Sequence, residues 1–325
     1  MEAISNMKRN ISLDFIKIVA MYSVLALHIC FAIDYTSCFL TKYWWSFFGV
    51  AIPLFFMVSG YLMESKTITY TYCFKKIYGI LKYVFLTLTP FVIFQLTQGN
   101  LNSLKYYYAW IRQGSALPVY WYFAAMIIIY LLLPTLKKLI DSKYLLTFLI
   151  MLFLFCQAVF VLNIKYDFEK THVYQAFRIW NWVFYFTLGM LVNKNPELFN
   201  RINWWHTVLA CLAFLLFRRL NMIGNEYYFC SFPYMIYVLC LFVCLMRISF
   251  GPKSTVLISR LSTIFLPVYT IHWPIFLFCK SHGFYLVLPN PNLQIITNYL
   301  IFSTIITFLS LLIMRLPYAE KLFRL

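Results

Sequence analysis

Ten stretches of this chain stay apolar for about the length of a bilayer crossing, and each ends at charged or turn-forming residues. They run approximately over 11–33, 45–64, 77–97, 118–136, 143–162, 177–193, 204–220, 231–247, 259–279 and 293–315. In lipid, a helix satisfies its own backbone hydrogen bonds, so repeated apolar runs of this length predict a bundle of spanning helices. Only 11% of the 325 residues are charged, under half the roughly 25% typical of soluble domains. Ten spans of ~20 residues leave only ~11 residues for each loop or tail. The expected fold is therefore all-α, a polytopic membrane protein with about ten transmembrane helices. It forms a single transmembrane domain over 1–325 with no additional soluble domain. Soluble, fibrous and disordered classes are excluded.

The net charge of +17 fits the excess of Lys and Arg in cytoplasmic loops. Segments on the N-terminal side of the alternating topology carry the larger share, including Lys8, Arg9, Lys75, Lys76, Lys137, Lys138, Lys194, Arg247 and Arg324. The opposite side holds Lys42, Lys105, Arg112, Lys165, Lys170, Arg178, Arg218, Arg219 and Lys280. Both termini are thus expected in the cytoplasm, with the lipid bilayer and not nucleic acid as the large partner. The first run is too long for a signal peptide and lacks a cleavage site, so it reads as a retained span. The nine cysteines show no CxxC pair; Cys240 and Cys244 read as a buried pair, and no metal is expected. No internal repeat is visible, which weighs against an inverted-repeat transporter. Trp44, Trp45, Trp110, Trp180, Trp182, Trp204 and Trp205 lie near span ends, where aromatic belts belong.

Ionisable groups inside a span cost at least ~2.5 kcal/mol each and are functional candidates by default. The first span holds three: Asp14, Lys17 and His28. At ~100° per residue, Lys17 and His28 fall within ~20° of one another around the helix, and ~16 Å apart along it. Asp14 is three residues before Lys17 and shares its face. The alternative for Asp14 and Lys17 is a snorkelling interfacial ion pair; for His28 it is a hydrogen bond to a neighbouring helix. His272 lies midway along the ninth run, in Pro267-Val-Tyr-Thr-Ile-His272-Trp-Pro274, with Tyr269 on its face. Its two prolines predict a kinked, cavity-lining helix. Ser59 and Gly60 in the second run read either as a close helix approach or as an opening to a ligand. Lys75 and Lys76, with Lys82, read either as a phosphate-binding cluster or as topology.

These elements together resemble the acyltransferase-3 family of bacterial integral membrane acyltransferases. The family opens on Leu-Asp-x-x-Arg with a His eleven residues after the Arg, similar to Leu13-Asp14-Phe15-Ile16-Lys17 and His28 here. Its Phe-Phe-x-x-Ser-Gly is matched by Phe55, Phe56, Ser59 and Gly60. A tryptophan-centred segment resembles Tyr120-Trp121-Tyr122-Phe123 leading to Tyr130 and Pro134, and an aromatic run with Leu-Gly resembles Phe184 to Gly189. The late Ile-Tyr-x-x-His-x-Pro element is similar to Val268 to Pro274. Two departures stand out. Lys17 replaces an Arg and loses the bidentate fork, and the second basic residue of an Arg-x-x-Arg falls on Gly79, with Lys75 or Lys82 as substitutes.

The resemblance implies a membrane-bound O-acyltransferase in the bacterial cytoplasmic membrane. It would move an acyl group, usually acetyl, from cytoplasmic acetyl-CoA as donor substrate to a hydroxyl. The acceptor would belong to a surface polysaccharide or its lipid-linked glycan precursor. His28 would be the base that activates the hydroxyl or a transient acyl carrier, with Asp14 and Lys17 as the other catalytic groups. Phe56, Ser59, Gly60, Lys75, Lys76, Trp121, Tyr269 and His272 would bind substrates. With no soluble domain, the acceptor step falls to the membrane domain or a separate polysaccharide-assembly partner. The competing readings are a transporter or flippase for a lipid-linked sugar, and a non-catalytic member of an assembly complex.

Overall fold

The computed structural model describes residues 9–33, 39–221 and 227–323. Lys8 and Arg324, used above in the charge asymmetry, lie outside the described residues. Among these residues the regular structure is helical, with no strand. The α-helices are α1 (Ile11–Ala32), α2 (Phe39–Phe48), α3 (Ala51–Glu64), α4 (Tyr70–Thr97), α5 (Tyr106–Ala109), α6 (Trp121–Ile140), α7 (Leu145–Tyr166) and α8 (Phe168–His172). They continue as α9 (Ile179–Lys194), α10 (Trp204–Asn221), α11 (Phe232–Met246), α12 (Pro252–Thr263), α13 (Phe265–Ser281), α14 (Pro291–Ile313) and α15 (Ala319–Phe323).

Helix starts follow local chemistry. The Asn10 side chain caps α1 by accepting from the Leu13 amide at 3.2 Å, and Thr69 caps α4 in the same way at 3.1 Å. Asn290 caps α14, whose first residue is Pro291. Two apolar runs are broken rather than continuous, each just ahead of a proline. Pro53 cannot donate to the Gly49 carbonyl, and α3 restarts at Ala51. Pro267 cannot donate to the Thr263 carbonyl, and α12 and α13 meet there at a 56° bend.

All ten apolar runs fall on helices. Six helical segments are long and apolar enough to cross a membrane: Ile11–Ala32, Tyr43–Glu64, Tyr70–Thr97, Pro118–Ile140, Leu145–Tyr166 and Pro291–Ile313. The bent pair α12 and α13 would make a seventh. The remaining runs are shorter or more polar. At 16 and 15 residues, α9 and α11 rise only ~23 Å, against a hydrocarbon core of ~30 Å. Among the described residues, six or seven helical segments thus have the length and composition of a full crossing, with shorter helices packed between them.

Successive long helices alternate in direction, which defines two ends of the bundle. The end where α1 begins is called proximal below, and the opposite end distal. Charged contacts tie the proximal ends together. Lys137 of α6 bonds Glu64 of α3 at 3.1 Å, and Lys194 of α9 bonds Asp141 at 2.8 Å. That bond from Lys194 holds the Asp141 carboxyl below its usual range. Arg247 closes the same end by donating to the Phe199 carbonyl at 2.7 Å.

The centre is α1, which packs against α2, α3, α11, α12, α13 and α14. The closest crossing joins α3 to α9. A Cβ on Gly60 would lie 1.9 Å from the Phe186 carbonyl oxygen, and one on Gly189 would lie 2.1 Å from that of Met57. Two glycines facing each other's backbone bring the axes together, the small-residue logic of helix pairs in lipid. Outside, Leu146, Ile150 and Leu154 of α7 and Leu300 and Phe308 of α14 are exposed. Side chains of this kind suit contact with acyl chains and not with water.

Candidate active site: two cavities and a histidine pair

The polar stripe on α1 divides into two groups at opposite ends. Proximally, Asp14 is buried at 4% exposure and accepts from two cations. Lys17 Nζ lies 3.3 Å from its Oδ1, and Arg9 Nε bonds its Oδ2. Arg9 also donates from Nη2 to the Ser259 carbonyl at 2.9 Å, pinning the start of α1 to α12. A carboxylate buried this deeply needs such partners.

Distally, His28 meets His272 of α13. His28 Nδ1 lies 3.0 Å from His272 Nε2, and His272 Nδ1 lies 3.0 Å from the Val268 carbonyl. A carbonyl only accepts, so His272 Nδ1 carries the proton and donates to Val268. Its Nε2 is then an acceptor, and His28 Nδ1 must donate to it. The proton assignment follows from this network. It leaves the Nε2 lone pair of His28 as the open end of the chain. Such a chain is the one that holds an imidazole ready to take a proton or attack a carbonyl, with His272 as its orienter. The α13 backbone is fixed in turn. Tyr269 Oη donates to the Val119 carbonyl, and the Thr270 hydroxyl bonds Tyr83 Oη. Tyr120 Oη donates to Thr87 at 2.8 Å.

A cavity of about 530 Å³ opens proximally, lined by Arg9, Lys17 and Lys76 together with Ser59, Ser262 and Glu320. Three cations against one carboxylate suit a phosphate-bearing ligand. A second cavity of about 140 Å³ lies distally, against His28, Trp45, Trp121, Tyr269, Trp273 and the Gln113 and Gln175 amides. Among the described residues, no Lys, Arg, Asp or Glu lines it. Tyr122 is the one residue common to both walls. Its ring packs against Phe55 and Phe56 at centroid distances of 6.1 and 5.0 Å, and its hydroxyl reaches Ser59 at 3.5 Å. Phe55, on the distal wall, stacks on Phe265 of the proximal wall at 4.6 Å. A layer of aromatic rings therefore separates the two spaces.

The residues singled out from sequence distribute unevenly over this frame. Lys17, Ser59 and Lys76 line the proximal cavity. His28, Trp121 and Tyr269 line the distal one, and His272 stands behind His28, fully buried. Asp14 contacts Lys17 and Arg9 and lies at the far end of α1 from His28, ~21 Å away along the axis. Gly60 serves the α3–α9 crossing, and Phe56 is buried with its ring stacked on Trp182 at 5.0 Å; neither lines a cavity. Lys75 is exposed and outside both cavity walls. Several tryptophans expected in the interfacial belts are interior. Trp44, Trp110 and Trp182 are buried, whereas Trp204 and Trp205 are exposed. The sequence reading missed Arg9, Tyr122, Trp273, Gln113 and Gln175. Of these, Tyr122 carried a local signal as part of the tryptophan-centred motif and Trp273 as the neighbour of His272; Arg9, Gln113 and Gln175 carried none.

The geometry and the order of motifs along the chain point to one family. The family profile described as an acyltransferase domain matches residues 10–315. No curated protein and no solved structure matches the chain. The match runs from the cap of α1 to just past the end of α14 and takes in His28, His272, the distal cavity and the proximal cavity apart from Arg9, Glu320 and Phe323; the chain belongs to the acyltransferase-3 family of membrane acyltransferases.

Proposed function

We propose that this membrane acyltransferase takes an acyl group, acetyl in the first instance, from acyl-CoA entering the proximal cavity. It passes the group to a hydroxyl of a cell-surface polysaccharide or its lipid-linked precursor in the distal cavity. The observation that carries this reading is the His28–His272 pair, whose hydrogen bonds leave the Nε2 lone pair of His28 unused while His28 itself lines the distal cavity. The proximal end is the cytoplasmic one on the charge asymmetry of the loops, and the membrane is the bacterial cytoplasmic membrane.

Arg9, Lys17 and Lys76 hold the coenzyme A phosphates, and the thioester arm extends past Tyr122 towards His28. The acceptor hydroxyl loses its proton to His28 Nε2 as its oxygen attacks the thioester carbonyl carbon. A C–O bond forms and the C–S bond breaks. The proton on His28 then passes to the departing thiolate, which regenerates the neutral imidazole. His272 holds the ring through Nδ1 while charge develops on it, the role played by the third member of a catalytic triad. General-base help of this kind is worth about 10²–10⁴ in rate. Asp14 acts at a distance from the reacting atoms, by fixing Lys17 and Arg9 at the phosphate site.

The test is purified full-length protein with radiolabelled acetyl-CoA and membranes bearing lipid-linked polysaccharide precursor. Alkali-labile label in the glycan, lost in His28→Ala, is the expected result. Movement of the lipid-linked sugar without thioester consumption would indicate a flippase. Full transfer by His28→Ala would overturn the mechanism.

A further inference from the structure

The distal cavity holds a feature that proton transfer does not use. Gln113 Nε2 donates to Gln175 Oε1 at 3.0 Å, joining the loop before α6 to the loop before α9. The same two loops are joined by the Arg112 guanidinium 5.9 Å over the Tyr174 ring. The amide–amide bond uses one donor and one acceptor. Among the described residues, Gln113 Oε1 and the remaining Gln175 Nε2 hydrogens have no protein partner. If both amides are turned over together, the bond is kept in the reverse direction and the pair still presents one free donor and one free acceptor.

Backbone geometry adds a second, independent observation. Gln113 takes the left-handed conformation at φ 60°, a position that favours Gly or Asn and costs other residues about 1–2 kcal/mol. A glycine stands next to it, but Gly114 is not among the positive-φ residues. The turn thus places a long amide side chain where the smaller residue would cost less, and that side chain ends at the cavity. Strain kept at a ligand-facing position is a recognised mark of function.

The remaining walls limit the ligand further. Trp45, Trp121 and Trp273 line it with apolar rings, and among the described residues the wall has no Lys, Arg, Asp or Glu. A charged group entering would lose its hydration without a counter-ion, which is costly. At about 140 Å³, the space is well below the ~300–1,000 Å³ of a site that encloses a drug-sized ligand. It admits a single ring or chain end.

We infer that the distal cavity is a subsite for one uncharged pyranose unit, with the Gln113–Gln175 amide pair as its specificity-determining contact. The free donor and acceptor take one ring hydroxyl, and an indole supports the apolar ring face. A second hydroxyl of the same ring is thereby presented to His28 Nε2. Uronic acids, sialic acids and protonated amino sugars are excluded by the uncharged wall. The inference rests on the acyl-transfer reading for the role of His28, but the binding it requires does not.

Two measurements on the full-length protein separate the two ideas. The first is quenching of tryptophan fluorescence by methyl glucoside, methyl galactoside, methyl mannoside and methyl glucuronide, with no acyl-CoA present. The second is thiol release from acetyl-CoA with the same four glycosides. At least one neutral glycoside is expected to bind and to accept acetyl at least tenfold better, in kcat/KM, than the glucuronide. The Gln113→Ala/Gln175→Ala variant is expected to raise the neutral glycoside's dissociation constant and KM at least tenfold, with the KM for acetyl-CoA unchanged. Gln175→Asn, which keeps the amide, should recover part of the loss. The inference fails if no neutral glycoside binds the wild type, if the glucuronide binds or reacts as well, or if the double variant keeps wild-type acceptor affinity. Sugar binding that the amide variant weakens, without any acyl transfer, would leave the subsite standing and sink the acyltransfer mechanism.

Discussion

An imidazole held by another imidazole differs from one held by a carboxylate. His272 offers His28 a lone pair but no counter-charge, and its own Nδ1 is committed to the Val268 carbonyl. The pair works only in one proton arrangement, so orientation is its main contribution. His28→Ala is expected to lower kcat about 10²–10⁴-fold, the usual worth of a general base. His272→Ala is expected to fall in the same range by freeing the ring, and His272→Gln, whose side-chain oxygen can accept from His28 Nδ1, should recover part of it. Melting temperatures close to wild type would confirm that the variants fold. At this scale the sequence showed where to look but not who touches whom. Asp14, Lys17 and His28 were legible because each is rare inside an apolar helix, and His272 because two prolines mark its helix. Their division into two separate sites was not legible. A shared helix face says nothing about the ~16 Å between Lys17 and His28 until other helices place walls between them. Gln113 and Gln175 sit in polar loops, where a glutamine carries no signal, and only tertiary structure brings them together.

The element scale is governed by where helices approach or break. The α3–α9 crossing leaves no room for a methyl group on either glycine. Gly60→Ala and Gly189→Ala are each expected to destabilise the protein by about 1–3 kcal/mol, the usual cost of overpacking. Because both push on the same crossing, the double variant should depart from the sum of the two; thermal unfolding in a fixed detergent measures this. A second element-scale device lies distally, where Glu169 of α8 is fully buried. It bonds Asn163 at 2.8 Å and Trp180 at 2.9 Å, linking α7 to α9. Burial pushes its carboxyl above the ordinary range, and the neighbouring Arg178 charge opposes the shift. A carboxyl raised in the folded state binds more protons there than in the unfolded chain. Its contribution to stability is therefore greatest below the ordinary carboxyl range, and declines as pH rises towards the folded value. Glu169→Gln should flatten that part of the stability–pH curve, read as melting temperature against pH. Helix positions were legible from apolar runs, but the breaks before Pro53 and Pro267 were not placed. A proline announces a missing hydrogen bond, and packing decides whether the helix bends, restarts or carries on.

Across the whole molecule, charge is sorted by end. Arg9, Lys17 and Lys76 gather on the proximal cavity, and among the described residues the distal cavity wall carries no Lys, Arg, Asp or Glu. Lys17→Met and Lys76→Met are each expected to raise the KM for acyl-CoA roughly tenfold with kcat little changed, the mark of lost uniform binding. The same KM should climb with ionic strength in the wild type, and less steeply in the variants. A cation-lined cavity at one end, and at the other a cavity with no charged residue among those described, agree with a sequence whose few charges lie mostly outside its apolar runs.

The ring layer of Tyr122, Phe55 and Phe265 has a consequence apart from chemistry. A protein with an aqueous opening at each end of its bundle risks becoming a conduit for protons and ions down the membrane potential. A single hydroxyl-tipped ring shared by both openings, within 3.5 Å of the Ser59 hydroxyl, is expected to block that path, and Tyr122→Ala to raise proton leak in proteoliposomes. The proposed passage of an acyl group beneath that ring would then open no continuous path for ions.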